Sequence, residues 1–95
     1  MNDSTPGATF SAGYREFYWR VFAYFVRRGH DESTARDLVS ETFMVAWRRQ
    51  ETGPMELPWL YAVAHNVDRQ FRRGESRRRA LSLRIHATPG NVGAQ

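Results

Sequence analysis

The sequence predicts an all-α fold, a compact three-helix bundle followed by a short arginine-rich fourth helix. Three stretches repeat apolar residues at three- and four-residue intervals, which is the spacing of one helix face. No stretch alternates apolar and polar residues as a half-buried strand does. Polar segments containing glycine or proline separate the stretches, so neighbouring helices are expected to pack against each other.

The composition limits the kinds of protein that this chain can be. Its 95 residues suit one small domain, and 41% apolar residues allow a real if marginal core. There is no cysteine and the three histidines show no ligand spacing, so no metal or other cofactor is expected. Paired carboxylates, an activated nucleophile and a phosphate-cradling glycine loop are not recognisable, so the chain is not expected to be an enzyme. Without a signal peptide or an apolar run near the ~18 residues of a membrane span, a cytoplasmic protein is expected.

The first helix is predicted over residues 10–28, after a polar segment of residues 1–9 that is expected to be disordered. A largely aromatic stripe on this helix should supply much of the core. That stripe consists of Tyr14, Phe17, Val21 and Phe25. Gly29 suits the position just after the helix end, which is often a glycine.

The second helix is predicted from near Asp31, a candidate N-cap, to Arg49 or Gln50. Its core stripe is Ala35, Leu38, Val39, Thr42 and Ala46. A loop over residues 51–56 follows, because Gly53 and Pro54 disfavour regular structure there.

The third helix is predicted to open with Pro58, which is favourable in a first helical turn. Its core stripe is Leu60, Val63, Ala64, Val67 and Phe71. Gly74 is expected to interrupt it, and residues 75–86 then form the short fourth helix. The domain is therefore expected to span residues 10–86, with residues 87–95 as a tail or the start of a linker.

Charge is distributed unevenly along the chain. All fourteen basic residues are arginine. Residues 1–68 hold seven arginines and nine acidic residues, whereas residues 69–95 hold seven arginines and one glutamate. A GC-rich genome would explain the absence of lysine but not the clustering, which favours a polyanionic partner for the C-terminal end.

One polar stripe on the second helix is not explained by core packing. Asp37, Glu41, Met44 and Arg48 follow one another at i, i+4, i+7 and i+11, with Ser40 beside them. Such a stripe is most often only a solvated face. The alternative is a docking surface for a partner rich in arginine or lysine.

The third helix carries a second polar stripe, in which Asn66, Arg69 and Arg73 fall at i, i+3 and i+7. An amide is able to pair with a base edge, and arginines one or two turns away are able to hold phosphates. The alternative is that Asn66 simply faces solvent. An arginine cluster continues this surface and comprises Arg72, Arg73, Arg77, Arg78, Arg79 and Arg84.

The start of the third helix adds three further candidates. Trp59 either stacks on an unpaired base or anchors the helix start. Met55 and Leu57, in and next to the loop, are placed to line a small pocket.

Three segments together are similar to a known family. Over about residues 10–85 the chain resembles region 2 of extracytoplasmic-function (ECF) sigma factors. The segments that carry the resemblance, in this order and spacing, are FSAGYREFYWRVFAYFVRRG, DLVSETFMVAWRR and LPWLYAVAHNVDRQFRR. The all-arginine usage fits an actinobacterial member. The resemblance implies the sigma region 2 fold and a role in transcription initiation. It also implies core RNA polymerase and promoter DNA as partners, with an anti-sigma factor as a third candidate.

The resemblance also implies roles for individual residues. The helix matching residues 37–48 would dock on the clamp helices of the polymerase β′ subunit. Many members have glutamine at the position of Ser40. The shorter serine side chain would reduce the reach of that contact here. The polymerase-binding candidates are Asp37, Ser40, Glu41, Met44 and Arg48.

The segment matching residues 57–73 would help to open the promoter and bind the non-template strand of the −10 element. Asn66 matches an asparagine that lines the pocket for a flipped-out base. The loop matching residues 50–57 supplies much of that pocket in the family and lacks an aromatic residue here. The DNA-binding candidates are Met55, Leu57, Trp59, Asn66, Arg69, Arg72, Arg73, Arg77 and Arg78.

Two other interpretations stay open. A protein-interaction module would offer the same faces to an anti-sigma factor, and a small arginine-rich regulator would bind duplex DNA generally. ECF sigma factors also carry region 4, which reads the −35 element and has no counterpart in this sequence. A fragment that ends after region 2 is therefore expected.

Overall fold

The protein folds into three α-helices, as a computed structural model that describes residues 6–49 and 55–87 shows. Helix α1 spans Pro6–Arg27, α2 spans Glu32–Arg49 and α3 spans Leu57–Ala87. No strand occurs within these ranges. The all-α prediction is therefore confirmed. Residues 1–5 of the expected disordered segment, residues 51–54 of the expected loop and residues 88–95 of the expected tail lie outside the described residues.

Helix α1 begins four residues earlier than the sequence predicted and ends at Arg27, one residue before the predicted end. Residues 6–9, which were expected to be disordered, are helical, and Pro6 occupies the first helical position, where its missing N–H costs no hydrogen bond. At the other end Gly29 has a φ of 98°. The Gly29 N–H donates to the Val26 carbonyl at 2.9 Å and the His30 N–H to the Phe25 carbonyl at 3.2 Å. This pair of bonds is the Schellman arrangement, which ends α1 sharply and turns His30 towards the bundle.

Helix α2 begins directly after Asp31, as its sequence predicted. The Thr34 N–H donates to Asp31 Oδ1 at 2.8 Å, which satisfies one of the amides that the first turn leaves unpaired. Hydrogen bonding from Thr34 holds the pKa of the Asp31 carboxyl below its ordinary value. The cap therefore carries its negative charge at neutral pH, next to the positive end of the helix dipole.

The core lies where the three helices meet, and most of it matches the predicted stripes. Every predicted core residue of α2 is buried, and Thr42 satisfies its hydroxyl by donating to the Leu38 carbonyl at 2.7 Å. In α1, Val21 and Phe25 are fully buried, whereas Tyr14 is 40% exposed because it lies at the edge of the α1–α2 contact. The fully or largely buried apolar residues are Val21, Phe25, Ala35, Leu38, Val39, Phe43, Ala46, Leu60, Val63, Ala64 and Val67.

The prediction of a separate fourth helix is wrong, because α3 continues through Gly74 to Ala87 without a break. A glycine inside a helix costs about 1 kcal/mol relative to alanine, which weakens a helix but does not end it. Gly74 does not adopt a positive φ, and Glu75 pairs with Arg78 across the next turn. At 1.5 Å per residue the 31 residues of α3 extend for about 46 Å, so its last three turns project from the bundle.

Gly13 is a position where α1 closely approaches Met55, in the segment just before α3. A Cβ on Gly13 would lie 2.9 Å from Met55 Sδ and 3.0 Å from Met55 Cβ. We expect Gly13→Ala to lower the free energy of unfolding by about 1–3 kcal/mol, because Met55 and the chain around it must move. Urea denaturation provides the measurement. Gly74→Ala is the matched control, since its Cβ would meet only an Arg78 nitrogen at 4.0 Å. The free energy of unfolding of that control should rise by about 0.5–1 kcal/mol. An equal rise in both variants would contradict the packing account.

Candidate protein and nucleic-acid interfaces

Helix α2 presents a polar surface that we call the acidic face. Its side chains point away from the buried stripe and all are exposed, with Met44 at 55% exposure. The acidic face consists of Asp37, Ser40, Glu41, Met44 and Arg48. The structure thus brings together every polymerase-binding candidate on one solvent-accessible surface. Its role stays a prediction.

A groove of about 370 Å³ runs between the acidic face and α3. Asp37 and Glu41 lie on its α2 wall, and Gln70 with Val67 and Phe71 forms its α3 wall. Gln70 was not among the sequence candidates, although it lies four positions after Asn66 and therefore on the same side of α3. The acidic face therefore borders the side of α3 that carries Gln70, which lies about 40° around the helix axis from Asn66.

The polar surface of α3, which we call the basic face, gains Arg77 because the helix is continuous through Gly74. Asn66, Arg69 and Arg73 are exposed as predicted, and Trp59, seven positions before Asn66, is 38% exposed. An unbroken helix places Arg77 only about 20° around the axis from Asn66. The basic face consists of Trp59, Asn66, Arg69, Arg73 and Arg77. None of these five side chains has a hydrogen bond or ion pair within the part of the chain that the structure describes, so all are available to a ligand.

Four DNA-binding candidates lie elsewhere or have other partners, among them Arg72, which pairs with Asp68. Met55 packs against Gly13 and the core, and Leu57 is half-buried, so both contribute packing at the start of α3. Arg78 is paired with Glu75. The remainder of the predicted base pocket, residues 50–54, lies outside the described residues.

An ion cluster around a buried carboxylate joins the end of α1 to the middle of α3, and sequence reasoning missed that carboxylate, Asp68. The Asp68 side chain is fully buried. Its Oδ1 lies 2.6 Å from His30 Nε2, and its Oδ2 lies 3.0 Å from the guanidinium of Arg28. Arg72 Nε donates to both carboxylate oxygens, at 3.2 and 3.1 Å. Arg72 Nη2 donates to the Arg28 carbonyl at 2.5 Å. We call these four residues the Asp68 cluster.

Two opposing effects act on the carboxyl of Asp68. Burial disfavours its charged form, but hydrogen bonds from His30, Arg72 and Arg28 outweigh that cost and hold the pKa of Asp68 below its ordinary value. The carboxylate is therefore charged and matched by cations at neutral pH. The Asp68 cluster fixes the turn at the end of α1 against α3, and Arg72 also satisfies a terminal carbonyl of α1.

An open apolar groove of about 480 Å³ lies between the first half of α1 and the second half of α2. Phe10 packs edge-on against Trp47 at 5.0 Å between ring centroids, and Tyr14 contacts Phe43 at 4.8 Å. The groove is lined by Phe10, Ser11, Tyr14, Phe43, Met44, Trp47 and Arg48. Because it shares Met44 and Arg48 with the acidic face, a partner on that face would reach the groove.

Two features are absent from the part of the chain that the structure describes. Among residues 6–49 and 55–87 there is no group of three or more His, Asp or Glu side chains that could hold a metal ion. None of the three helices over these residues is long and apolar enough to cross a membrane.

Comparison with known proteins yields one informative similarity. No family model matches the chain, and no solved structure matches it. The chain is 35% identical over 57 residues to the RNA polymerase sigma factor YlaC of Bacillus subtilis. The match covers 57% of this chain and only 33% of that protein. Together with the all-helical fold, this similarity supports a relationship between the chain and RNA polymerase sigma factors.

Proposed function

We propose that this chain is region 2 of an ECF sigma factor and acts in transcription initiation in the cytoplasm. The acidic face of α2 binds the clamp helices of the polymerase β′ subunit. The basic face of α3 binds the non-template strand of the promoter −10 element and helps to open the duplex. The observation that carries the proposal is the basic face of α3, on which the Asn66 amide and exposed arginines lie together, with an exposed acidic face on the adjacent helix α2.

The charge of each face supports its assignment. Asp37 and Glu41 are exposed and lie one turn apart on α2, so a partner helix rich in basic residues is able to pair with both. On α3, Arg69, Arg73 and Arg77 extend over about two turns with no acidic residue among the basic-face side chains. This spacing suits successive phosphates of one strand.

The mechanism is capture of an exposed base, without a chemical step. Extruding one base from the duplex costs a few kcal/mol of lost stacking and pairing. Asn66 offers a donor and an acceptor to the edge of such a base, and Trp59 offers an indole face for stacking. The arginines of the basic face hold the backbone and fix its register. The free energy of these contacts offsets the cost of opening.

Asn66→Ala is expected to weaken binding at one position of the −10 element only. Loss of a good base-edge contact is worth about 1–3 kcal/mol of discrimination at that position. The measurement is fluorescence anisotropy with single-stranded −10 oligonucleotides in which each base is varied in turn. Arg73→Ala is the matched control on the same face and should weaken all oligonucleotides equally, because a phosphate contact carries no sequence information.

The same titration separates this proposal from the two alternatives. A general DNA-binding regulator would prefer duplex DNA, and a uniform loss with Asn66→Ala would assign Asn66 to the backbone or the fold. The apolar groove beside the acidic face favours a second protein partner, for which an anti-sigma factor is the candidate. Such a partner would compete with the β′ clamp helices, so it adds regulation to the proposed function without replacing it.

A further inference from the structure

Arg72 lies inside an arginine-rich stretch but points to a different side of α3 from the basic face. At 100° per residue, Arg73 lies about 20° around the axis from Asn66, whereas Arg72 lies about 120° away. Arg72 Nε donates hydrogen bonds to the Asp68 carboxylate, and Arg72 Nη2 donates one to the Arg28 carbonyl. Two donor groups of this guanidinium are therefore used inside the protein.

Arg28 is held by the same carboxylate. Its Nε donates to Asp68 Oδ2 at 3.1 Å, and its guanidinium carbon lies 5.8 Å from the centre of the Tyr24 ring. Both arginines are close to half exposed, with 42% exposure for the Arg28 side chain and 49% for that of Arg72. Released from Asp68, either side chain has the length and the exposure to reach a nearby phosphate.

We infer that Asp68 is a positioning residue that withholds Arg28 and Arg72 from nucleic acid, an inference that rests on the proposed function. A free arginine adds affinity for any phosphate backbone, whatever its sequence. Because two arginines are held at the α1–α3 junction, only the arginines aligned with Asn66 contact the phosphate backbone of the nucleic acid. Asp68 thereby raises the selectivity of the basic face for its own sequence and gives up general affinity.

The number of phosphates engaged is measurable from the salt dependence of binding. For single strands, log K falls linearly with the logarithm of the salt concentration, and each phosphate contact adds about 0.7 to the steepness of that fall. We expect Arg73→Gln to reduce the steepness of this slope by about 0.7, whereas Arg72→Gln leaves it unchanged. Arg72→Gln keeps His30 and Arg28 on Asp68, so this variant is expected to fold. Circular dichroism at each salt concentration checks that it does.

Asp68→Asn is expected to change binding in the opposite direction. Its slope should become steeper by about 0.7–1.4, as one or two arginines reach the backbone. Its preference for a −10 oligonucleotide over a scrambled one should fall several-fold. A merely structural role for Asp68 would weaken binding without steepening the slope.

Two results would overturn the inference. The first is an equal loss of slope in Arg72→Gln and Arg73→Gln, which would make Arg72 a phosphate contact. The second is a folded Asp68→Asn variant with an unchanged slope and unchanged selectivity. Failure of the proposed function looks different, because the unmodified chain would then show no preference for the −10 oligonucleotide at any salt concentration.

Discussion

Replacing Asp68 with alanine is expected to lower the free energy of unfolding by about 2–4 kcal/mol. This loss is somewhat below the usual cost of breaking a fully buried ion pair, because the arginine partners of Asp68 are half exposed. The substitution leaves His30, Arg28 and Arg72 converging on a site without a counter-charge. For a domain of this size, such a loss is a large fraction of the total stability. Urea denaturation followed by circular dichroism measures it.

Glu32→Ala is the matched control, because it removes an exposed carboxylate that pairs with Arg36 on the surface of α2. Exposed pairs of this kind contribute at most about 0.5 kcal/mol. Comparable losses in the two variants would show that the Asp68 cluster contributes no more than a surface ion pair.

Acidification should erase the difference between the unmodified protein and Asp68→Ala. The pKa of Asp68 is lowered in the folded state from an ordinary value of 3.8, so the folded protein binds this proton less readily than the unfolded chain. The stability that the carboxylate contributes is therefore fully present above pH 3.8 and is lost as the pH falls through the folded value. A difference that stays constant on acidification below pH 3.8 would assign the effect to packing.

Glu41→Arg is expected to weaken binding to a fragment of the β′ clamp helices by at least about tenfold, or about 1.4 kcal/mol. The side chain is exposed at the centre of the acidic face, so the fold should tolerate the change. Reversing its charge converts attraction to a basic partner into repulsion. Isothermal titration calorimetry provides the measurement.

Glu16→Arg makes the same charge change on the exposed side of α1 and should leave that affinity within about twofold. If Glu41→Arg binds the fragment as tightly as Glu16→Arg, the acidic face is not the docking surface. Salt offers a second check, because binding through the acidic face should weaken as ionic strength rises.

Periodicity alone was sufficient for the parts of the fold that depend on one helix at a time. The buried stripe of α2, the glycine at the end of α1 and the exposure of Asn66 follow from the spacing of residues along a helix. The bounds are less predictable, because proline and glycine often mark helix ends and yet Pro6 and Gly74 both lie within helices. Both are tolerated, Pro6 because of its position in the first turn and Gly74 because its cost is small beside the rest of α3.

The Asp68 cluster was not predictable in the same way, since it joins residues about forty positions apart. The i, i+4 spacing places Arg72, but not Arg73, next to Asp68 on α3, whereas no spacing along one helix pairs Asp68 with Arg28 or His30. The sequence carries a second signal, because Asp68 directly follows the core residue Val67 and lies at the edge of the buried stripe. A carboxylate at such a position requires a cationic partner.

The central claim is that two neighbouring faces bind polymerase and an unwound promoter strand at the same time. Sedimentation velocity of this chain with a β′ clamp-helix fragment and a labelled non-template −10 strand tests it most directly. The account predicts one complex that contains all three components, with the template strand and duplex DNA excluded from it. Displacement of the β′ fragment by the oligonucleotide, or equal incorporation of duplex DNA, would contradict it.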